Sequence, residues 1–437
     1  RNWTENLQLD WCVSRQRYFG VPFPLWYPLD SDGQPQFDRP ILAEPAALPI
    51  DPMSDTPAGY DDSQRDQPGG FTGEPDVFDT WFTSSLSPQI GSHWLLDKDR
   101  HGKLFPADMR PQSHEIIRTW AFYTIAKALL HEDQVPWHHV AISGWILDPD
   151  RKKMSKSVGN VVTPTDLLDE YSSDAVRYWA ASARLGADTA FDKKVLKVGK
   201  RLATKLFNAG KFVLAQSAEV HPITAELDRA FLAQLGQIAD RASAAFAEFE
   251  FARALDETEQ FFWSGFTDTY LELAKARARG DFGDPAGQGS AVATLRLGLN
   301  ILLRLFAPIL PYITEEIWSW VFAEETGQAS IHRAPWPSPA DLTAPAPDDE
   351  GSFQLAIDCL TAINKKKTDA GVSVGRVTNR LVIAANQATL DRLAPVLHDV
   401  LAAARCQAHE LSADSELEDG TFAVPDAEFA EKPPKKK

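Results

Sequence analysis

The sequence predicts an α/β half-domain, followed by an all-α helical bundle and a small C-terminal α/β unit. Three observations carry this. The apolar run Val140-Ala141-Ile142-Ser143-Gly144-Trp145-Ile146-Leu147 leads straight into a basic loop and then a helix start, the strand–loop–helix order of an α/β fold. Residues 212–325 repeat apolar side chains at helical spacing with short turns between, as in a helix bundle. After a Pro- and Asp-rich stretch at 333–350, mixed helix and strand patterning returns. The expected domains are 1–190, 191–335 and 336–437, and 437 residues suffice for two or three separate cores.

Charge and composition narrow the function. Lys and Arg number 44 against 61 Asp and Glu, a net charge of −17. That argues against bulk electrostatic binding of nucleic acid and shifts the weight to local basic tracks. No apolar run approaches the length of a membrane span, so no membrane association is expected. Cys12, Cys359 and Cys406 lack metal-ligand spacing and read as reduced thiols of a cytoplasmic protein; no zinc or other metal site is expected from them. Arg1 stands where a start Met would, and Asn2-Trp3-Thr4-Glu5 reads as mid-domain sequence. The chain is therefore expected to be the C-terminal part of something longer.

In chain order, Asp10-Trp11-Cys12-Val13-Ser14-Arg15-Gln16 precedes Tyr18-Phe19-Gly20 and an expected strand at 22–27. Taken alone, this is an aromatic core segment with a solvated Arg pair. Residues 28–75 turn abruptly to Pro, Gly, Asp, Ser and Gln, a loop-rich insertion with a small strand near 40–42. Order returns at Asp79-Thr80-Trp81-Phe82. Here either Asp79 or Thr80 is a helix N-cap before a core aromatic, or Asp79, with the indole of Trp81, is the carboxylate of a small pocket for an ammonium group. Ser113-His114-Glu115 stands at a strand-to-helix turn, where ligands bind in open α/β sheets, and an Ala-rich helix to 130 follows.

The basic loop Arg151-Lys152-Lys153-Met154-Ser155-Lys156-Ser157-Val158-Gly159-Asn160 supplies point charges, hydroxyls and amide donors suited to phosphate. Thr163-Pro164-Thr165-Asp166 then reads as a helix start with a capping hydroxyl, and a second helix starts at Ser173. From residue 193 to 211 there are seven basic residues and no acidic one. Lys193, Lys197, Lys200, Arg201 and Lys205 fall on one helical face, opposite Val195, Leu196, Leu202 and Leu206. This stripe is either a track for phosphodiesters or an ordinary solvated face. Helices are expected at 225–246, 252–279, 291–306, 313–322, 353–366 and 388–404, a strand at 380–385, and a disordered basic tail at 432–437.

Taken together these segments resemble the class I aminoacyl-tRNA synthetases. Asp10–Gln16, Asp79-Thr80-Trp81-Phe82, Gly144-Trp145 and Lys153-Met154-Ser155-Lys156-Ser157 are similar to the second half of their Rossmann-like core. Phe261-Phe262-Trp263, Pro308-Ile309-Leu310-Pro311-Tyr312 and Ser330-Ile331-His332 are similar to the anticodon-binding bundle of the Val/Ile/Leu subgroup. Asp79–Ser85 and Ser113–Trp120 point to its valine-specific members. The resemblance implies activation of L-valine by ATP with Mg²⁺, then transfer to tRNA(Val), in a monomer.

It further implies that Lys153, Ser155, Lys156 and Ser157 serve the phosphates. His114, Glu115, Gly144, Trp145 and Ile146, with Lys156, would serve ATP; Phe19, Asp79 and Trp81 the valine; and Lys193, Lys197, Lys200, Arg201 and Lys205 the tRNA. Phe19 stands where many relatives carry Trp. The family's His-Ile-Gly-His signature and editing insertion are not in this sequence, so the chain alone is expected to be inactive. The rival readings are isoleucine specificity, a non-catalytic tRNA-binding fragment, and a nucleotidyltransferase outside translation.

Overall fold

The computed structural model describes residues 2–7, 11–155, 157–219 and 221–431; Asp10, Lys156 and the tail at 432–437 lie outside them. The chain divides into two compact units, Arg1–Gly144 and Trp145–Lys437.

In the first unit, β1 (Ser14–Arg15) is later paired by a distant strand, and β2 (Leu25–Pro28) lies between β3 (Ile41–Leu42) and β4 (Phe71–Gly73) in an antiparallel sheet. The insertion at 28–75 is thus more ordered than its composition suggests. Its loops are pinned at two carbonyls: the buried Trp26 indole donates to Pro52 O at 3.1 Å and Asp55 O at 2.9 Å. Arg65 donates to the same two oxygens, both at 2.9 Å. β5 (Val77–Phe78) runs antiparallel to β1 and feeds α1 (Thr80–Ser84). β6 (Ala107–Ser113) and β7 (Trp137–Ser143) are parallel, with Ser113 opposite Ser143. A parallel pair needs a crossover. This one passes through a 3₁₀ turn at His114–Ile116, a π turn at Ile117–Ala121 and α2 (Phe122–Glu132), so the α-helix begins eight residues later than His114.

In the second unit β8 (Ile146–Leu147) runs parallel to β9 (Thr189–Ala190). Between them lie the basic loop, α3 (Pro164–Tyr171) and α4 (Ser173–Ala181). Thr163 takes the extended cap conformation, but its hydroxyl makes no capping bond. Pro164 starts the helix instead, its missing N–H being one that the first turn leaves unbonded anyway. α5 (Lys193–Leu214) buries Leu196, Leu202 and Leu206 completely, each worth roughly 1.5–3 kcal/mol. Val195 is partly buried beside them.

The bundle continues with α6 (Glu226–Ala247), α7 (Phe251–Gln260), a π-helical stretch at Phe261–Tyr270, α8 (Leu271–Ala278), α9 (Pro285–Phe306) and α10 (Pro311–Trp320). α9 is long and apolar enough to cross a membrane, yet it forms the bundle's interior, with 83% of its most apolar window buried. α11 (Ser352–Asp369), β10 (Thr378–Ala385), α12 (Gln387–Leu393), α13 (Leu397–Ala403), β11 (His409–Ala413) and β12 (Ala427–Phe429) complete the chain. β10 is central, parallel to β11 and antiparallel to β12. One hydrophobic core runs from Tyr178 through Ala404, so α11 and α13 share the interior of the bundle. The single helix expected at 388–404 is two, broken around Pro395, which cannot donate a helical hydrogen bond.

Candidate functional site

The basic loop is built on β8. Trp145 donates its N–H to the Asp188 carboxylate at 2.8 Å, just before β9. Leu147 bridges to Lys153, so the loop leaves and returns beside the same strand. Its two ends are clasped by side chains. Asp148 accepts the Lys152 N–H and the Asn160 amide group, both at 2.8 Å. The Asn160 carbonyl oxygen accepts the Ser155 N–H at 2.9 Å, and its amide also reaches Lys153 O at 3.3 Å. The Asn160 bond, followed by the Lys152 N–H, holds the Asp148 carboxyl below the usual carboxylate range. Met154 packs against the small cluster of Leu167, Tyr171, Ala175, Phe191 and Leu196, which anchors the loop on its inner side.

Anchored in this way, the loop turns its polar groups outward. The Lys153 ammonium sits 4.4 Å from the centre of the Trp145 ring, a cation–π arrangement. The Ser155 and Ser157 hydroxyls are 3.1 Å apart, and Ser155 Oγ accepts the Val158 N–H. Gly159 has φ +73°, the left-handed conformation that glycine adopts without a Cβ penalty. Lys153 thus meets Trp145, the two serine hydroxyls meet each other, and Ile146 is half exposed on the strand below. Lys156 lies outside the described residues. Asn160 is the polar end of the loop motif, whereas Asp148 and Asp188 lie outside it and carry no motif of their own.

In the first unit, Asp79 caps α1 by accepting the Trp81 N–H at 2.8 Å, and its other oxygen meets Arg15 at 2.8 Å. The carboxylate is buried and serves both as helix cap and as ion-pair partner. Arg15, expected to be a solvated cation, is the residue that fixes it, so an ammonium ligand would share Asp79 with a guanidinium. Trp81 is 36% exposed and Phe19 90%, which leaves both rings available to a ligand. The segment bearing Phe19 lies along β5. Phe78 donates its N–H to Val21 O, and a Cβ on Gly20 would come 2.6 Å from Val77 Cγ2.

His114 and Gly144 follow the carboxyl ends of neighbouring parallel strands, where open α/β sheets hold ligands. The His114 ring nitrogen Nδ1 is 3.2 Å from Ser143 O, and Glu115 is exposed in the same 3₁₀ turn. Below this turn are two buried cations. Arg110 lies over the Trp120 ring at 3.1 Å. Lys127 lies over Phe82 and donates to Phe82 O at 2.8 Å, and burial brings its pKa down to about 8.

The basic face of α5 is exposed at Lys193, Lys197, Lys200 and Arg201. The structure adds acids that the linear stripe does not show. Glu170 of α3 stands 3.7 Å from Lys193, and its backbone oxygen accepts from Lys200 at 2.9 Å. Asp268 pairs with Lys205 at 3.0 Å. Among the described residues, no group of three or more His, Cys, Asp or Glu side chains could hold a metal ion.

Residues 1–192 match the tRNA synthetases class I (I, L, M and V), and residues 228–381 match the anticodon-binding domain of tRNA ligase. The chain thus carries a class I tRNA synthetase segment followed by an anticodon-binding segment. Within that class it is similar to valine–tRNA ligases. The one from Salinispora arenicola is 50% identical over 425 residues, covering 92% of this chain and 48% of that protein. That of Thermobifida fusca is 49% identical, covering 92% and 45%. That of Bifidobacterium longum subsp. infantis is 43% identical, covering 100% and 51%. The chain thus spans about half the length of the curated relatives it matches. A leucyl enzyme from Agrobacterium radiobacter K84, AgnB2 LeuRS, solved in a ternary complex with tRNA and LeuAMS, shares the fold. Its TM-score is 0.53 at 20% identity, covering 88% of this chain and 46% of that one.

Proposed function

We propose that this chain is the part of a valine–tRNA ligase that supplies the pyrophosphate-side loop, part of the amino-acid pocket and the tRNA-binding bundle. The observation that carries this reading is the clasped loop, with Lys153 and Ser157 exposed and the Ser155 and Ser157 hydroxyls 3.1 Å apart, on a sequence half identical to valine–tRNA ligases.

In that reaction a valine carboxylate oxygen attacks the α-phosphate of ATP, the bond to the β-phosphate breaks, and pyrophosphate leaves. The aminoacyl group then passes to a hydroxyl at the 3′ end of tRNA(Val), and AMP leaves. Neither step needs covalent help from the protein; both need positioning and stabilisation of charge that develops on oxygen. Lys153 and Lys156 neutralise the leaving phosphates while the Ser155 and Ser157 hydroxyls donate to them. His114, Glu115 and the backbone of Gly144, Trp145 and Ile146 serve the nucleotide. Trp81 and Phe19 wall the valine side chain, and Asp79, shared with Arg15, faces its ammonium group. Mg²⁺ arrives with ATP as substrate, and no residue of this chain is assigned to it. The basic face of α5 follows the tRNA backbone.

In this scheme the expected division at 190 and 335 assigns core, bundle and appendage by role, with the appendage helices packed into the bundle's core. The working protein is a cytoplasmic monomer.

The test joins this chain to the portion of the Salinispora arenicola enzyme outside the matched half and measures valine-dependent ATP–pyrophosphate exchange. Exchange is expected with the native loop, and a loss of two to three orders of magnitude with Lys156→Ala. Undiminished exchange in that variant would remove the role given to the loop.

A further inference from the structure

The basic face of α5 is not uniform. At its far end two cations rest on an aromatic ring, and one of them is already paired with an acid. Arg201 lies 5.6 Å and Lys205 5.1 Å from the centre of the Trp263 ring. The indole N–H donates to Glu259 at 3.1 Å, and Glu259 also accepts the Tyr178 hydroxyl at 2.6 Å. Lys205 is held by Asp268 at 3.0 Å, with the two side chains 34% and 60% exposed.

The backbone makes this corner. Trp263 and Asp268 are five residues apart in the π-helical stretch Phe261–Tyr270, whose i→i+5 turn brings them onto one face. In an α-helix the pair would diverge, and the ring and the carboxylate would not both reach Lys205.

We propose that Asp268 is a resident anion occupying the place of an RNA backbone phosphate, and that Lys205, seated on Trp263 beside Arg201, exchanges this carboxylate for the phosphate when tRNA binds. The proposal rests on the reading of the α5 face as tRNA-facing. Three features favour exchange over a fixed ion pair. The pair is exposed, and exposed pairs are weak enough to be traded. The indole keeps the ammonium positioned whichever anion it holds. Arg201, on the next turn of α5 and over the same ring, gives an incoming phosphate a second cation that Asp268 does not occupy. Without tRNA the carboxylate keeps this corner near neutral, which limits attraction of stray polyanions.

The exchange has a thermodynamic signature. A lysine that delivers positive charge to a phosphate displaces a condensed counterion, and each such contact steepens the dependence of log K on log salt by about 0.7–0.9. A lysine that brings its own carboxylate delivers no net charge and displaces none. Lys205 should therefore add affinity to the native chain with almost no salt slope. Removing the acid should restore the slope.

The experiment uses the full 437-residue chain and a tRNA transcript with a valine anticodon, titrated at several salt concentrations. Asp268→Asn is isosteric and keeps the acceptor that meets the Thr267 hydroxyl at 3.2 Å. It should tighten binding about two- to fivefold at low salt and steepen the slope by about 0.7–0.9. Lys205→Ala should weaken binding in the native background without changing the slope, and should cancel the steepening in the Asp268→Asn background. Unchanged affinity and slope in Asp268→Asn, while Lys197→Ala weakens binding, would overturn the exchange and leave the α5 track standing. Binding unaffected by Lys193→Ala, Lys197→Ala and Lys200→Ala would overturn the track itself, and the exchange with it.

Discussion

Replacing Arg277 by Met should unfold the second unit at a markedly lower temperature, because Arg277 donates to both Asp228 and Asp399. All five guanidinium N–H groups are used. Two go to Asp228 at 2.7 Å, two to Asp399 at 3.0 and 3.1 Å, and one to Gly287 O at 3.2 Å. The side chains are 8%, 0% and 9% exposed, so the triad is buried, and it ties α6, α8 and α13 together. Asp228 would keep the Tyr270 and Ser290 hydroxyls, at 2.7 and 2.6 Å. Asp399 would be left buried and charged with neither of its Arg277 bonds. Breaking a buried pair from one side costs about 3–5 kcal/mol. At about 2–4 °C per kcal/mol for a unit of this size, the fall in Tm is roughly 6–20 °C.

The sign of the pH dependence is a second check. Burial already raises the Asp399 carboxyl above its ordinary range, and without Arg277 it rises further. A carboxyl that binds its proton more tightly when folded penalises folding above its folded pKa, and the penalty fades as pH falls through it. Thermal unfolding of variant and native chain should therefore differ most near pH 7 and less near pH 5. A difference below about 1 kcal/mol at pH 7, or one that widens on acidification, would refute this reasoning.

Two further outcomes follow from the first unit and the loop. Asn160→Ala opens the clasp and should speed amide exchange at Ser155 by about ten- to a hundredfold, the worth of a hydrogen-bond set anchored on a carboxylate. The reciprocal pair Asp148→Asn with Asn160→Asp should recover most of the protection, and exchange equal to native in Asn160→Ala would dismiss the clasp. Lys127, whose folded pKa of about 8 lies below its unfolded value, penalises folding at neutral pH and is relieved as pH rises through 8 to 10.5. Native chain and Lys127→Met should thus converge by up to about 2.5 kcal/mol in urea unfolding between pH 7 and pH 10, and a gap that stays constant would contradict the burial of that charge.

What was legible in the sequence was local. The strand before the loop, the start at Pro164, the apolar face of α5 and the long bundle helices all follow from spacing within one segment. What was not legible joined distant segments. Arg15 and Asp79, 64 residues apart, meet only because β1 pairs with β5. Glu170 and Asp268 face the α5 cations from other helices, so a stripe that reads as uniformly positive is partly matched. β11 and β12 are short and depend on β10 for their pairing, which leaves little pattern of their own. Pro395 was in plain view, and the break it imposes was lost under strong apolar periodicity on both sides. The triad of Asp228, Arg277 and Asp399 spans 171 residues and looks like three ordinary surface charges until the helices pack.

The central claim is that this chain provides the loop and pocket wall of a valine-activating enzyme. Its most direct measurement is amino-acid-dependent ATP–pyrophosphate exchange by the chain joined to the rest of its Salinispora arenicola relative, with valine and isoleucine compared. The account predicts exchange that depends on valine and is at least tenfold weaker with isoleucine, because a pocket filled by valine has no room for one more methylene. Equal or stronger exchange with isoleucine would contradict it.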